Sequence, residues 1–438
     1  MKTAQQPVLE SLLGLFERQR ERLPGARLPW LQERRRAALK AAERLGLPTP
    51  TTEDWRHTPL LTTLGRHDYA LAVRPASLDR APALLENAAR LVFVDGQSEP
   101  SLSRLDLPAG VALQSLAQAL KDDERSLAAR LSVAPQGSAL EALNLGLFQD
   151  GALIEVDAGV AAPPIELVFA NGLAEGAATS HPRTDLVLAP GASATVVEVH
   201  QGLDGQPRLL NHVARLRLEQ GASLTHVVVL AEGAATAHLA ETTLTLARDA
   251  HYRGLVLFAG GGLVRRAVNL TLAEPGASAA LTSGYLLTGE ERGDLKADIR
   301  HAAPDTQSRA TIKGALAGKS RQVVRGCITV EAGAARADGR LSSRTLLLSD
   351  RAEIDVKPEL RIFHDEVQCA HGATSGKLDP AQLFYLRSRG LPETLARRLL
   401  IQAFLAELTE GLSEELRLPL QRLIDRRLLA LTGGEVAP

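Results

Sequence analysis

The stretch CAHGATSG, Cys369 to Gly376, contains the residue types in this chain best suited to chemistry. It places one of only two cysteines two positions before a histidine. If a strand runs continuously from Phe363 to His371, the Cys369 and His371 side chains point to the same face. A thiolate and an imidazole side by side suit iron, zinc or copper.

This segment is short of the four ligands that a tetrahedral metal site needs. Asp365 or His364 could supply a third ligand, whereas the other cysteine, Cys327, lies far upstream and need not share the same face. Two interpretations stay open from the residues alone. The pair is either half of a metal site that another chain completes, or a buried structural cysteine beside a hydrogen-bonded histidine.

A second segment, GALAGKS from Gly314 to Ser320, has the composition of a phosphate-binding loop but not its spacing. That loop needs four residues between the first glycine and the GK pair, and here three separate Gly314 from Gly318. The flanking residues read as strands, so no helix N-terminus is available for a phosphate. We expect a β-turn here and no ATP site in this chain.

An enzyme that acts on polysaccharide is only weakly supported, by three acidic residues near predicted turns: Asp294, Asp298 and Asp305. Such enzymes use paired carboxylates. Sugar sites also tend to use aromatic platforms, and aromatic residues make up only 3% of this chain.

The composition narrows the class of protein. The chain has 438 residues, 45% of them hydrophobic, and its 50 Lys+Arg nearly balance its 51 Asp+Glu. There is no basic excess that would favour a nucleic-acid partner. Two cysteines indicate a reducing compartment, and no apolar run reaches the roughly 18 to 20 residues that span a bilayer. We therefore expect a cytoplasmic protein without a signal peptide and without a membrane partner.

The elements that must position the CAHGATSG segment divide into four predicted parts. Residues 1–90 form a helical region and an extended connector, in which Trp55 is the expected anchor and ERRR, Glu33 to Arg36, a solvated helix face. Residues 91–145 are a mixed lead-in, residues 146–376 a β-rich core, and residues 377–438 a helical domain. The final helices would either cap the core or form a docking module.

The β-rich core has period-two segments and turn signals at a nearly constant spacing. The signals are PGAS, QGAS, RDAH, PGAS, PDTQ and AGAA; their second residues are 191, 221, 249, 276, 305 and 333, at intervals of 30, 28, 27, 29 and 28. Such a repeat is typical of stacked coils. With two strands in each interval it predicts a flattened parallel β-helix, and the alternative is an antiparallel β-sandwich.

Several segments resemble the SufB/SufD family of iron–sulfur cluster assembly proteins, and its SufD branch in particular. They are TEDWRHTPL (Thr52 to Leu60), HAAPDTQSRATIKGAL (His301 to Leu316), EIDVKPELRIF (Glu353 to Phe363) and FHDEVQCAHGATSGKLDPAQLFYLRSRG (Phe363 to Gly390). The resemblance implies a mixed α and β fold, with a right-handed parallel β-helix core flanked by N-terminal and C-terminal helical regions.

The resemblance also implies partners and roles. The chain would pair with SufB through the β-helix and bind the ATPase SufC through its C-terminal helices, with a homodimer possible when it is isolated. A transient iron–sulfur cluster, or iron, would be shared with SufB at that interface, where His371 is the implicated residue and Cys369 matches the family motif. The residues expected to dock SufC are Phe384, Tyr385, Arg387, Arg389 and Gly390.

These expectations describe a non-catalytic scaffold subunit rather than an enzyme. A stand-alone β-helix enzyme acting on a polysaccharide is the alternative, and a structural binding protein without a metal role is the third candidate. The scaffold hypothesis alone predicts that changing His371 stops cluster formation while leaving the complex intact.

Overall fold

The computed structural model describes residues 5–72, 78, 83–122, 127–128, 130–131, 137–171, 176–202 and 205–432. Its centre is a parallel β-solenoid of about seven turns built from two sheets, with helices at both ends of the chain. Each turn contributes one strand to each sheet. The described strands, in chain order, are β1 (Ala70–Leu71), β2 (Ala89–Val94), β3 (Gln97–Ser98), β4 (Val111–Ser115), β5 (Gly151–Val156), β6 (Ile165–Asn171), β7 (Ala178–Ser180), β8 (Arg183–Leu188), β9 (Ser193–Gly202), β10 (Arg208–Leu218), β11 (Ser223–Ala231), β12 (Thr236–Leu246), β13 (His251–Phe258), β14 (Leu263–Leu272), β15 (Ser278–Leu287), β16 (Arg292–His301), β17 (Gln307–Leu316), β18 (Arg321–Val330), β19 (Asp338–Leu347), β20 (Glu353–Ile362) and β21 (Gln368–Gly376).

The strand order confirms the solenoid and excludes the antiparallel sandwich. The first sheet runs β20-β18-β16-β14-β12-β10-β8-β5-β4, and the second runs β21-β19-β17-β15-β13-β11-β9-β6-β2-β3. Every pairing between coil strands is parallel; the antiparallel pairs among the described strands, β2 with β3 and β4 with β5, lie at the N-terminal end. The right-handed winding stays a prediction, because strand pairing alone does not define the sense of a coil.

The interior of the solenoid is built from ladders of equivalent side chains. Parallel, in-register strands place the same position of each coil directly above its counterpart, so a residue type that fits one turn fits the next. In the first sheet one such ladder is apolar throughout: Leu186, Leu216, Leu244, Leu270, Ile299, Ile328 and Leu360. The buried area of these ladders is the main source of stability of the core.

The turn signals found in the sequence form one column of left-handed residues. Residues 191, 221, 249, 276 and 305 all have φ between 55° and 78°, a region that favours glycine and tolerates aspartate. The sixth signal, AGAA, also forms a turn, but Gly333 is not left-handed. In the last of these turns the left-handed residue is Arg336, with φ of 58°, because Gly333 forms an additional turn before it.

The helices of the described residues lie outside the coil. The N-terminal ones pack on one another and on the β10 and β12 strands of the first sheet. The bounds are α1 (Gln5–Gln19), α2 (Pro29–Leu45), α3 (Leu60–Leu64), α4 (Leu116–Asp122), α5 (Ala139–Leu147), α6 (Pro380–Ser388), α7 (Glu393–Leu405) and α8 (Glu414–Leu431), with short 3-10 turns at Arg20–Arg22, Glu53–Trp55, Pro100–Leu102 and Ala406–Thr409. No described helix is both long and apolar enough to cross a membrane.

The ERRR segment on α2 is not a wholly solvated face. Arg35 is fully buried and donates hydrogen bonds to the carbonyl oxygens of Gly146 at 2.9 Å and Phe148 at 3.1 Å. Its guanidinium lies 3.8 Å from the centre of the Phe148 ring. The amphipathic pattern could not reveal this, because Gly146 and Phe148 lie more than one hundred residues away along the chain.

The extended connector lies across the outer face of the first sheet. Asp54 contacts Lys296 at 2.8 Å and Arg325 at 2.7 Å, and Arg265 lies 4.0 Å from the centre of the Trp55 ring. The connector thereby contacts β14, β16 and β18, and its Glu53 contacts Lys357 on β20. Trp55 is partly buried here, as expected of an anchor.

The C-terminal helices pack on the outer face of the second sheet. Lys313 contacts Glu407 at 2.5 Å and Arg427 contacts Glu291 at 2.6 Å. Gly284 is required beneath them, because a Cβ there would lie 2.7 Å from Leu408. The helices therefore flank the solenoid instead of capping its last turn.

Candidate functional site

The candidate site lies on the last turn of the solenoid. Among the described strands, β20 pairs only with β18 and β21 pairs only with β19, so each has one free backbone edge. The amide groups of Glu353, Phe363 and Gln368 donate inward to the preceding turn. Because amides alternate along a strand, those of Cys369, His371 and the alternate residues after them point to the free edge.

Cys369 and His371 occupy interior ladder positions on β21. Cys369 is paired with Gly339 and His371 with Leu341, which are both buried in the interior of the coil. The two side chains therefore share a face, although the continuous strand that suggested this does not exist. β20 ends at Ile362, a turn follows, and β21 begins only at Gln368.

No further turn covers these two residues, but their exposure differs. Cys369 is half-buried and packs against the apolar core, whereas His371 is exposed. Gly339 leaves room for the thiol: a Cβ on Gly339 would lie 3.4 Å from Cys369 Sγ. Burial raises the pKa of the Cys369 thiol above its ordinary value, so a metal ion would have to displace its proton to bind there.

The two weaker candidates, His364 and Asp365, lie in the turn between β20 and β21. His364 Nδ1 accepts a hydrogen bond from the backbone amide of Glu366 at 3.1 Å, which leaves Nε2 as its free ring nitrogen. Asp365 is exposed. Within the described residues, these side chains do not form a group of three close enough to hold a metal ion.

Cys327 is on the other sheet and faces the other way. It lies on β18 between Asp298 and Glu359 of the neighbouring strands, on the outer face beside the connector. Its sulfur is 3.7 Å from the Thr329 hydroxyl, and burial raises the pKa of the thiol. The two cysteines are therefore not arranged as ligands of one ion within the chain.

The predicted docking residues lie directly after β21, on α6 and the turn that ends it. Phe384 and Tyr385 are 73% and 56% exposed, which is unusual for side chains of this size. Arg389 lies 5.2 Å from the centre of the Tyr385 ring, and Arg387 contacts Glu393 at 3.4 Å. Gly390 ends the turn with φ of 89°, and Asp379 caps the helix by accepting from the Ala381 amide.

The remaining candidate motifs, the GALAGKS segment and the three acidic residues, lie in turns, strands and ion pairs of the solenoid. GALAGKS forms the end of β17 and a turn with Gly318 at φ of 64°. Asp305 lies in a turn, as expected, whereas Asp294 lies near the start of β16 and Asp298 lies in its interior. Each of the three acids is paired with a base, Asp294 with Arg265, Asp298 with Lys296 and Asp305 with Arg336.

One group of potential ligands was missed by the sequence reasoning. His200, His212 and His238 are buried together inside the solenoid, beside Glu198. The signal was present in ATVVEVH, where Glu198 and His200 alternate with valines. Both faces of β9 are buried, the valine face under the C-terminal helices, so alternation alone could not tell which face turned inward.

Comparison with known proteins gives the family. The family model described as "SUF system FeS cluster assembly, SufBD core domain" matches residues 169–404, and "SufBD protein N-terminal region" matches residues 7–165. The chain is 33% identical to the iron–sulfur cluster assembly protein SufD of Escherichia coli over 85% of this chain and 87% of that protein. It is 29% identical to an iron–sulfur cluster assembly SufBD family protein of Synechocystis over 87% of each chain, and 25% identical to SufD of Bacillus subtilis over 91% of this chain and 94% of that one.

The two family models together match most of the chain, from residue 7 to residue 404. The matches also include the CAHGATSG strand and the helix that follows it. The chain belongs to the SufBD family of the SUF iron–sulfur cluster assembly system, and it is similar to SufD.

Proposed function

We propose that this chain is a non-catalytic scaffold subunit on which an iron–sulfur cluster forms together with a SufB-type partner. The observation that carries the proposal is the last turn of the solenoid. It has two free strand edges, and its β21 strand presents a histidine and a cysteine on one face. Unpaired edges are strong templates for another chain, and two ligands are too few for a cluster.

The apolar surface near this end supports pairing with a second chain. Phe363 is 62% exposed and Ile362 is 38% exposed, at the turn that joins β20 to β21. Exposed apolar groups of this size beside open strand edges are typical of a surface that a partner covers. His371 and Cys369 would then face the partner, which supplies the remaining ligands for iron and sulfide.

The C-terminal helices are the proposed dock for a SufC-type ATPase. Only Lys377, Leu378 and Asp379 separate β21 from α6. The later helices are fixed to the same sheet through the Lys313–Glu407 ion pair and the hydrogen bond from Arg427 to the Leu286 carbonyl. A displacement of these helices by the ATPase would therefore reach the sheet that ends in β21. ATP would be bound and hydrolysed by that partner and not by this chain.

The test is an anaerobic affinity purification of the tagged chain from its own host, followed by reconstitution of the complex with iron and sulfide. We expect an ABC-type ATPase and a larger paralogue in near-stoichiometric amounts. In the reconstituted complex His371→Ala should leave subunit composition unchanged and abolish the absorbance of the assembled cluster. His251→Ala is the matched control, since His251 is also exposed but lies at the start of β13.

Two outcomes would contradict the proposal. Full cluster assembly by the His371→Ala complex would remove the metal role and favour a purely structural binding protein. A chain that is purified alone, with activity on a polysaccharide, would favour the enzyme alternative, and the ion-paired acids on β16 would then need to be tested in turn.

A further inference from the structure

The interior of the solenoid contains a polar cluster far from the last turn. It consists of Glu198 and His200 on β9, His212 on β10, His226 on β11, Glu232 after β11, His238 on β12 and Arg266 on β14. All of these are at most 5% exposed. Polar groups are seldom buried in this number unless they are fully paired or bind something.

Three of the histidines are arranged as metal ligands are. His200, His212 and His238 can each offer one ring nitrogen so that all three nitrogens lie within 4.8 Å of one another. Tetrahedral zinc with Zn–N bonds of 2.0–2.1 Å would bring such nitrogens to about 3.4 Å. Small rotations of the rings would close the difference.

The second ring nitrogen of each histidine is held by a partner. His200 Nε2 lies 3.4 Å from Glu198 Oε2, His212 Nε2 lies 3.0 Å from the Thr184 hydroxyl, and His238 Nδ1 lies 3.1 Å from Glu232 Oε1. Metal-bound histidines are held in this way by carboxylates and hydroxyls, which fix the ring orientation and the tautomer. The other nitrogens, His200 Nδ1, His212 Nδ1 and His238 Nε2, have no hydrogen-bond partner in the described residues.

The charges also favour a cation. The cluster contains two buried carboxylates, on Glu198 and Glu232, and one guanidinium, on Arg266, which lies 3.6 Å from Glu198. An unbalanced negative charge inside an apolar core is costly.

We propose that His200, His212 and His238 bind one divalent transition-metal ion inside the solenoid, with Glu198 beside it. Imidazole ligands suit zinc, iron(II), cobalt(II) and nickel(II). The site lies several turns from His371 and is complete within one chain. It therefore goes beyond the proposed function and does not depend on it. Because the ligands are buried, the ion is acquired during folding.

The experiment uses the full chain, unfolded and refolded with cobalt(II) and then freed of loose metal by a chelator. The wild type should retain about one cobalt per chain by mass spectrometry of metals and show the visible absorption of a tetrahedral site. His212→Gln and His238→Gln should each retain less than about a tenth of that amount. His181→Gln is the matched control, because His181 is equally buried but both its ring nitrogens are hydrogen-bonded, to Thr179 and Asn211.

A milder variant keeps the test decisive if the ligand variants fold poorly. Glu232→Gln preserves size and a hydrogen-bond acceptor for His238, and it should weaken cobalt binding about 10- to 100-fold without loss of the solenoid. Two results would overturn the proposal. One is a wild type without chelator-resistant cobalt, which would make the cluster a network balanced by a bound proton. The other is equal cobalt in the wild type, in both ligand variants and in Glu232→Gln.

Discussion

At the scale of single residues, the turn in which a ladder position lies determines whether its polar side chain is exposed or buried. Cys369 and His371 stand in interior columns, yet His371 is exposed because no turn follows β21. The equivalent interior position five turns earlier is occupied by His226, which is buried. Residue type alone therefore does not separate a site on the surface from a group inside the core.

Buried histidines should make the protein sensitive to acid, and His181 is a clear case. Burial lowers its pKa to about 3, whereas an unfolded histidine has a pKa of about 6.5. Between these values the unfolded chain binds more protons, so stability falls as the pH falls below about 6.5. At about pH 5 this one residue should lower the free energy of unfolding by about 2 kcal/mol.

His181→Gln should therefore lower the overall stability but reduce its pH dependence. Urea unfolding at about pH 7.5 and at about pH 5 measures how far the free energy of unfolding falls between the two conditions. That fall should be about 2 kcal/mol smaller in the variant than in the wild type. The free energy of unfolding at the higher pH shows how much the change in packing alone destabilises the variant, and it serves as the internal control. An equal loss in both proteins would show that His181 does not contribute to acid sensitivity.

At the scale of elements, the connector is held by a buried ion pair. Asp294 on β16 accepts from both Arg265 and the Thr58 hydroxyl, and it is 1% exposed. Asp294→Ala would leave Arg265 buried without its counterion. We expect a loss of about 3–5 kcal/mol in the free energy of unfolding.

Asp350→Ala is the control for this prediction. Asp350 contacts Lys377 at 2.7 Å, but both side chains are exposed, so its loss should leave the free energy of unfolding near the wild-type value. Chemical denaturation of the two variants gives the comparison. Equal stability of Asp294→Ala and Asp350→Ala would mean that the connector does not depend on this contact.

The free edge of β21 can be tested with proline, which removes one amide donor. The amide of Gln368 donates to the preceding turn, so by alternation the Ala370 amide points inward and the Ala373 amide points to the free edge. A proline already occupies such a position on β20. The backbone nitrogen of Pro358, which has no hydrogen to donate, faces the free edge.

Ala373→Pro should keep the fold and weaken binding of the SufB-type partner about tenfold, through the loss of one or two hydrogen bonds across the interface. Ala370→Pro, in contrast, should lower Tm because it breaks a bond to β19. Calorimetric titration and thermal unfolding measure the two effects. Unchanged partner affinity of Ala373→Pro would mean that the partner does not pair with this edge.

At the scale of the whole molecule, the two ends of the solenoid differ in what covers them. The early turns are covered by the N-terminal helices and the outer face of the second sheet by the C-terminal helices, while the last turn is open. An open, self-complementary edge favours a symmetric dimer when no other partner is present.

The isolated chain should therefore form a concentration-dependent dimer with twice the 46.7 kDa chain mass. Adding the SufB-type paralogue should replace it with a one-to-one heterodimer, because both species would use the same edge. Light scattering after size exclusion measures both masses. A homodimer that persists and binds the paralogue as a further subunit would place self-association on another surface.

The sequence by itself determined the solenoid and the spacing of its turns. It also placed Cys369 and His371 on one face of a strand, although that strand begins at Gln368 and not at Phe363. These follow from local rules that repeat: alternation within a strand, a left-handed residue at each turn, and a spacing near 28 residues. At the last signal an additional turn at Gly333 comes first, and the left-handed residue is Arg336.

Only the tertiary structure decided which side chains meet. The burial of Arg35, the contacts of the connector with four strands, and the group of His200, His212 and His238 all join residues from different elements. The pattern along a strand with two buried faces does not say which face turns inward. That choice depends on the opposite sheet and on the helices that cover the outer face, and both are fixed only when the chain has coiled.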